Sequence, residues 1–195
     1  MENLNRKNTG ISKKGFTLIE LLIVIGILAI LATTVVLVLN PAQILAEARD
    51  TQRISDLGSV QSAIGLMLAT ATNTPTFILG PNCTVANAVN LGLSGSCATV
   101  TSRAVDGTGW VGIDLTGTAG GPPLANLPAD PTNSIVYYYA YKGVDSNKTY
   151  ELNARLESKK LRVSMENDGG DKNTCQTYLE ATCWYEIGTD PGLDL

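Results

Sequence analysis

The chain has 195 residues, 44% of them hydrophobic, and its 14 Lys and Arg against 18 Asp and Glu give a formal charge of −4. There is no histidine, which excludes Ser-His-Asp and Cys-His catalysis and most transition-metal sites, and there is no glycine-rich phosphate loop of Walker type. The acidic balance argues against broad binding to a phosphate backbone, so neither an enzyme nor a nucleic-acid partner is expected.

The first fifteen residues hold Arg6, Lys7, Lys13 and Lys14 against the single acid Glu2. An excess of positive charge beside an apolar segment keeps that end cytoplasmic. From Leu21 to Leu39 no residue is charged, and as a helix rising about 1.5 Å per residue this stretch matches the ~30 Å hydrocarbon core of a bilayer. Glu20 interrupts the apolar pattern near the cytoplasmic end. A carboxylate there is costly unless something pairs with it, so a functional partner is the default expectation and snorkelling to the interface the competing one. Asn40-Pro41 follows, and a proline inside a helical pattern predicts a bend or a short melted stretch.

The string Lys14-Gly15-Phe16-Thr17-Leu18-Ile19-Glu20 with its apolar continuation resembles the class III signal of type IV pilins and of the pseudopilins of type II secretion. That resemblance implies that a prepilin peptidase cuts between Gly15 and Phe16 on the cytoplasmic side and methylates the new Phe16 amine. Gly15 breaks regular structure cheaply, which suits a peptide entering a protease. An ordinary secretory signal would be cut after its apolar region at a small-x-small site, yet here the apolar run continues past Ala29 and Ala32. The resemblance further implies that Glu20 pairs with the Phe16 amine of a neighbouring subunit, because two opposite charges that are each costly in lipid become tolerable together.

The implied partners are further copies of the chain in a helical polymer, a prepilin peptidase, an inner-membrane assembly platform and its motor, and the membrane itself before assembly. The implied location is the cytoplasmic membrane as a single-pass protein, then an extracellular pilus or a periplasmic pseudopilus. The alternative is a single-pass anchored adhesin or sensor that does not polymerise.

Removing the leader's four basic residues and one acid leaves a formal charge of about −7. The expected organisation is a leader over 1–15, a transmembrane and filament-core helix over 16–40, an amphipathic helix over 41–72 and a globular β-rich head over 73–195. In the second helix Glu47, Arg49, Asp50, Gln52, Arg53 and Asp56 are expected on exposed turns, with Asp50, Arg53 and Asp56 spaced for pairing. Leu57, Val60, Ile64, Met67 or Leu68 and Ala71 recur at three and four, a stripe expected to pack on a sheet. Asn73 to Pro75 ends the helix.

Residues 76–131 read as loop-rich surface with one short strand over 110–115. Ile135 to Tyr141 and the alternating run Tyr150 to Glu157 read as an antiparallel hairpin, with a further strand over 184–187. The expected fold class is therefore α+β, a long N-terminal α-helix with a membrane-spanning half and an amphipathic half, packed on a small antiparallel β-sheet head. Leu127-Pro128-Ala129-Asp130-Pro131 and the tyrosine-rich strand also resemble, more loosely, the heads of bacterial pilins and major pseudopilins. Tyr137, Tyr139 and Tyr141 are expected to pack rather than to bind.

Cys83, Cys97, Cys175 and Cys183 form an even set on the side of the membrane opposite the basic leader, which favours disulfides. Three pairings are open, and the local one, Cys83 with Cys97 and Cys175 with Cys183, closes the shortest loops. Zinc is the competing reading, without histidine or Cys-x2-Cys spacing to support it. The loop Asn167-Asp168-Gly169-Gly170-Asp171 makes Asp168 and Asp171 weak calcium candidates, but the spacing is unlike an EF-hand and a solvated turn competes, so no cofactor is expected.

Overall fold

The computed structural model describes residues 15–71, 73–86, 88, 93, 95–175 and 183–195. The leader expected over 1–15 lies, except for Gly15, outside the described residues. The chain divides between Pro41 and Ala42 into two compact units, and its class is α+β, a long apolar N-terminal helix and a five-stranded, mostly antiparallel sheet.

The first unit contains α1, Leu18–Leu39. Its 22 residues reach about 33 Å at the usual rise per residue, and the stretch Leu18–Val36 is long and apolar enough to cross a membrane with none of it buried. Thr33 and Thr34 interrupt the aliphatic run, but their hydroxyls donate to the carbonyls of Ala29 (2.9 Å) and Leu31 (2.8 Å). Those internal bonds leave no hydroxyl proton facing hydrocarbon unpaired. Asn40 ends α1 in the left-handed region, at φ 40, a conformation that asparagine tolerates better than most residues. Pro41 then opens α2, Pro41–Thr70, at a position where its missing N–H would have had no partner. The proline thus starts a helix, and the interruption is confined to one residue.

In the second unit α2 carries a buried face that includes Leu57, Val60, Ile64 and Met67. The sheet comprises β1 (Asn82–Cys83), β2 (Ala98–Thr99), β3 (Tyr139–Val144), β4 (Thr149–Ala154) and β5 (Tyr185–Gly188), with α3 (Arg162–Glu166) between the last two strands. Strand order is β2-β1-β3-β4-β5, with β1 and β2 parallel and every other pair antiparallel. The register sets Tyr141 opposite Leu152 and Leu152 opposite Ile187. One sheet face thereby brings Tyr139, Tyr141, Leu152 and Ala154 into the core with the α2 stripe. Each such aliphatic side chain, fully buried, contributes about 1.5–3 kcal/mol. Gly143 in β3 is required by close approach, since a Cβ there would stand 3.0 Å from Tyr141 Cζ.

Four expectations need correction. The strand over 110–115 is replaced by isolated bridges, Ile113 to Phe77 and Asp114 to Asp106. Gly112 passes so close that a Cβ would sit 2.8 Å from Ile78 Cβ and 3.2 Å from the Tyr141 ring, leaving no room for a regular ladder. The same segment is not mere surface, because Trp110, Val111, Ile113 and Leu115 are buried with Phe77 and Leu127 in the main core. The hairpin's first strand begins only at Tyr139, since Ser134 closes a turn with Tyr137 through both its backbone N–H and its hydroxyl.

The alternation along β4 does not separate buried from exposed residues. Glu151 and Asn153 are as buried as Leu152, because the outer sheet face is covered as well. Cys83, Leu93, Tyr138, Ala140 and Trp184 form a second cluster, and the Leu195 N–H donates to Glu151 Oε2 at 3.0 Å.

Candidate processing and assembly segment

Just after the expected cut, Thr17 and Glu20 form a hydrogen-bonded cap. Gly15 and Phe16 lie ahead of α1, and Phe16 is 89% exposed. Thr17 is the N-cap of α1 with an extended backbone, and Glu20 occupies the third helical position. The Thr17 N–H and hydroxyl both donate to Glu20 Oε2 at 2.8 Å, and the Glu20 N–H returns a bond to the Thr17 hydroxyl at 3.3 Å. This is a capping box, which satisfies donors that every helix start leaves open. It also sets a negative charge in the first turn, where the helix dipole favours one. Glu20 is thus held within its own chain through Oε2, while Oε1 accepts no hydrogen bond among the described residues. Sequence reasoning gave Thr17 no role, although threonine followed three residues later by glutamate is the signal for such a cap.

The charged residues expected on exposed turns of α2 are in part the most buried ones in the head. Arg53 and Asp50 have no exposed side-chain surface. Arg53 grips Asp130 through Nε to Oδ2 (2.6 Å) and Nη2 to Oδ1 (3.0 Å), and also bonds Asp50, Glu157 and Thr132, with the Tyr137 ring 4.9 Å from its guanidinium carbon. Asp50 accepts from the backbone N–H groups of Glu157 (2.8 Å) and Ser158 (2.6 Å). Burial pushes the Arg53 pKa down, but the bonds and charges of Asp130 and Glu157 outweigh it and hold the guanidinium above its usual value. Burial likewise raises Glu157, and Arg49 and Arg53 overcome it, leaving that carboxyl below the usual range. Asp56 pairs with the Tyr139 hydroxyl (2.8 Å) rather than with Arg53. The network fastens α2 to the segments at 130–132 and 157–158.

Two disulfides join Cys83 to Cys97 and Cys175 to Cys183. Asp168 spends both carboxylate oxygens on backbone, Oδ1 accepting from Gly170 N–H (3.0 Å) and Oδ2 from Glu186 N–H (2.8 Å), and Asp171 pairs with Lys172. Among the described residues no group of three or more acidic, Cys or His side chains is arranged to hold a metal ion. Next to this loop, Glu151 on β4 and Glu186 on β5 are both fully buried. Each binds one backbone N–H through Oε2, that of Leu195 for Glu151 and that of Lys172 (2.9 Å) for Glu186. Each leaves Oε1 without a hydrogen bond among the described residues. Burial pushes Glu151 up to about 6. Burial, reinforced by the charges of Glu151, Asp168 and Asp171, pushes Glu186 up to about 8. Of the three tyrosines, Tyr139 and Tyr141 are buried and Tyr137 is half-buried.

Residues 11–36 match the family model of the prokaryotic N-terminal methylation motif. This is the class III signal, characteristic of type IV pilin and pseudopilin precursors and implying processing by a prepilin peptidase. The match covers the signal and most of α1 and leaves the head outside it. No curated protein and no solved structure matches the chain.

Proposed function

We propose that the chain is a structural, non-enzymatic subunit that polymerises into a type IV pilus or pseudopilus after a prepilin peptidase cuts between Gly15 and Phe16 and methylates the Phe16 amine. The observation that carries this reading is the coincidence of the methylation motif over residues 11–36 with an apolar helical stretch, Leu18–Val36, none of which is buried. Such a helix needs nonpolar surroundings, which lipid supplies to the single subunit and a bundle of like helices supplies to a polymer. Glu20 fits the assembly role because its carboxylate is half used. Oε2 keeps the cap on Thr17, and Oε1 is open to the methylated amine of the next subunit.

Two substitutions separate the cap from the charge. Glu20→Gln keeps an acceptor for Thr17 and removes the negative charge, so leader removal and membrane insertion should persist while filament incorporation falls at least tenfold by immunoblot of sheared surface fractions. Thr17→Val keeps the charge and loses the cap, so incorporation should persist. Filaments of normal yield from Glu20→Gln would refute the pairing. Particles found only as membrane-embedded monomers would instead support the anchored adhesin or sensor.

A further inference from the structure

Two stretches of the chain read Asn-x-Thr, the acceptor pattern for attaching a glycan to an asparagine amide: Asn82-Cys83-Thr84 and Asn147-Lys148-Thr149. Their surroundings separate them. Asn82 lies within β1 at 8% exposure, and its Nδ2 donates to the Trp110 carbonyl at 3.3 Å. The Thr84 hydroxyl donates to Asn133 Oδ1 (3.1 Å) and accepts from the Tyr139 N–H (3.2 Å), while Cys83 is closed in a disulfide. That acceptor is consumed by the fold.

Asn147 stands exposed in the four-residue turn 145–148 that joins β3 to β4. Neither its amide nor the Thr149 hydroxyl forms a hydrogen bond among the described residues. Lys148 between them is left-handed, at φ 55, so Asn147 lies in a tight turn just ahead of the ladder, which Thr149 opens as the first residue of β4, opposite Val144. The Lys148 ammonium is held by Asp145 Oδ1 at 2.5 Å and lies 5.7 Å from the Phe77 ring centre. Asp145, two positions before the asparagine, uses Oδ1 for Lys148 and for the Phe77 N–H (2.7 Å), and its Oδ2, on a side chain that is 45% exposed, has no hydrogen bond among the described residues. That oxygen is available to a cationic group on a transferase. These bonds fix the turn to the head, so a bulky group on Asn147 displaces nothing buried.

We infer that Asn147 is an acceptor for N-linked glycosylation at the tip of the β3–β4 hairpin, the donor being a sugar carried on a lipid pyrophosphate. Nδ2 of Asn147 bonds to the anomeric carbon, the bond from that carbon to the pyrophosphate oxygen breaks, the lipid pyrophosphate leaves with the electron pair, and the amide loses one proton. The inference rests on the proposed function, under which the head is carried across the membrane.

The test is peptide mass spectrometry on the full-length protein recovered from membrane and surface fractions of its own cells. The peptide spanning Asn147 should carry hexose or N-acetylhexosamine increments, and the peptide spanning Asn82 none. Asn147→Gln and Thr149→Val should abolish the increments and Thr149→Ser should retain them, with both disulfides intact in every variant. A bare Asn147 peptide, or increments that survive Asn147→Gln, overturns the inference. The N-terminal peptide of the same digest, beginning at methylated Phe16 or at Met1, reports separately on the reading that the head is exported.

Discussion

Arg53 shows how little of a residue's fate is written in its neighbourhood along the chain. Three-residue spacing from Asp50 marked a helix-surface pair, and that pair exists, but its burial depends on Asp130, which lies 77 residues away. Breaking one side of a buried, hydrogen-bonded ion pair costs about 3–5 kcal/mol. Arg53→Met should therefore lower the stability of the detergent-solubilised chain by roughly that amount in urea titration, while Arg49→Met, whose partner Glu157 is nearer the surface, should cost about 1 kcal/mol or less. Glu20, by contrast, stands out in the sequence as a carboxylate before a membrane-length apolar run, and its part in assembly belongs to the proposal above. The Thr17 cap was equally present in the spacing.

Among the elements, the features set by local chemistry were readable and those set by packing were not. The α2 stripe follows from helical periodicity, and Leu57, Val60, Ile64 and Met67 are all buried; Leu57→Ala should cost about 2–5 kcal/mol. The hairpin was readable from its branched and aromatic runs around a turn. Its first strand was placed too early, since Ser134 competes for the backbone near Tyr137 and the ladder runs from Tyr139 on to Val144. The run from Trp110 to Leu115 carried a strand's composition, yet the tight passage of Gly112 beside Ile78 and Tyr141 is a tertiary fact that no local pattern encodes. The Cys175–Cys183 bridge spans 8 residues, and closing so short a loop stabilises by roughly 2–3 kcal/mol in the chain-entropy account. Cys175→Ser with Cys183→Ser should lower the melting temperature by about 5–10 °C.

Across the whole molecule, the buried acids of the outer sheet face set how stability varies with pH. Burial pushes Glu186 up to about 8 and Glu151 up to about 6, from the usual 4.5. Between pH 4.5 and 8 the folded state therefore binds more protons than the unfolded one, and stability falls as pH rises. Against burial, the Leu195 N–H and the charge of Lys172 lower Glu151 while Asp171 raises it, and Asp168, raised by its own burial, adds to the trend. Glu157 acts in the opposite sense, since its depressed pKa removes stability below pH 4.5. The melting temperature should peak near pH 5 and fall by several degrees by pH 8.5, and Glu186→Gln should flatten most of that fall. An unchanged slope in that variant would show that Glu186 is ionised in the fold.

Asp168 has a consequence of another kind. Its carboxylate takes the Glu186 N–H of the last strand, a hydrogen that would otherwise point outward from the rim of the sheet. A rim stopped at this point offers a foreign strand a poorer template on the β5 side of the sheet. In the polymer proposed above, this side of the head is less prone to stitch onto its neighbour, and the order of the fibre is left to the helices.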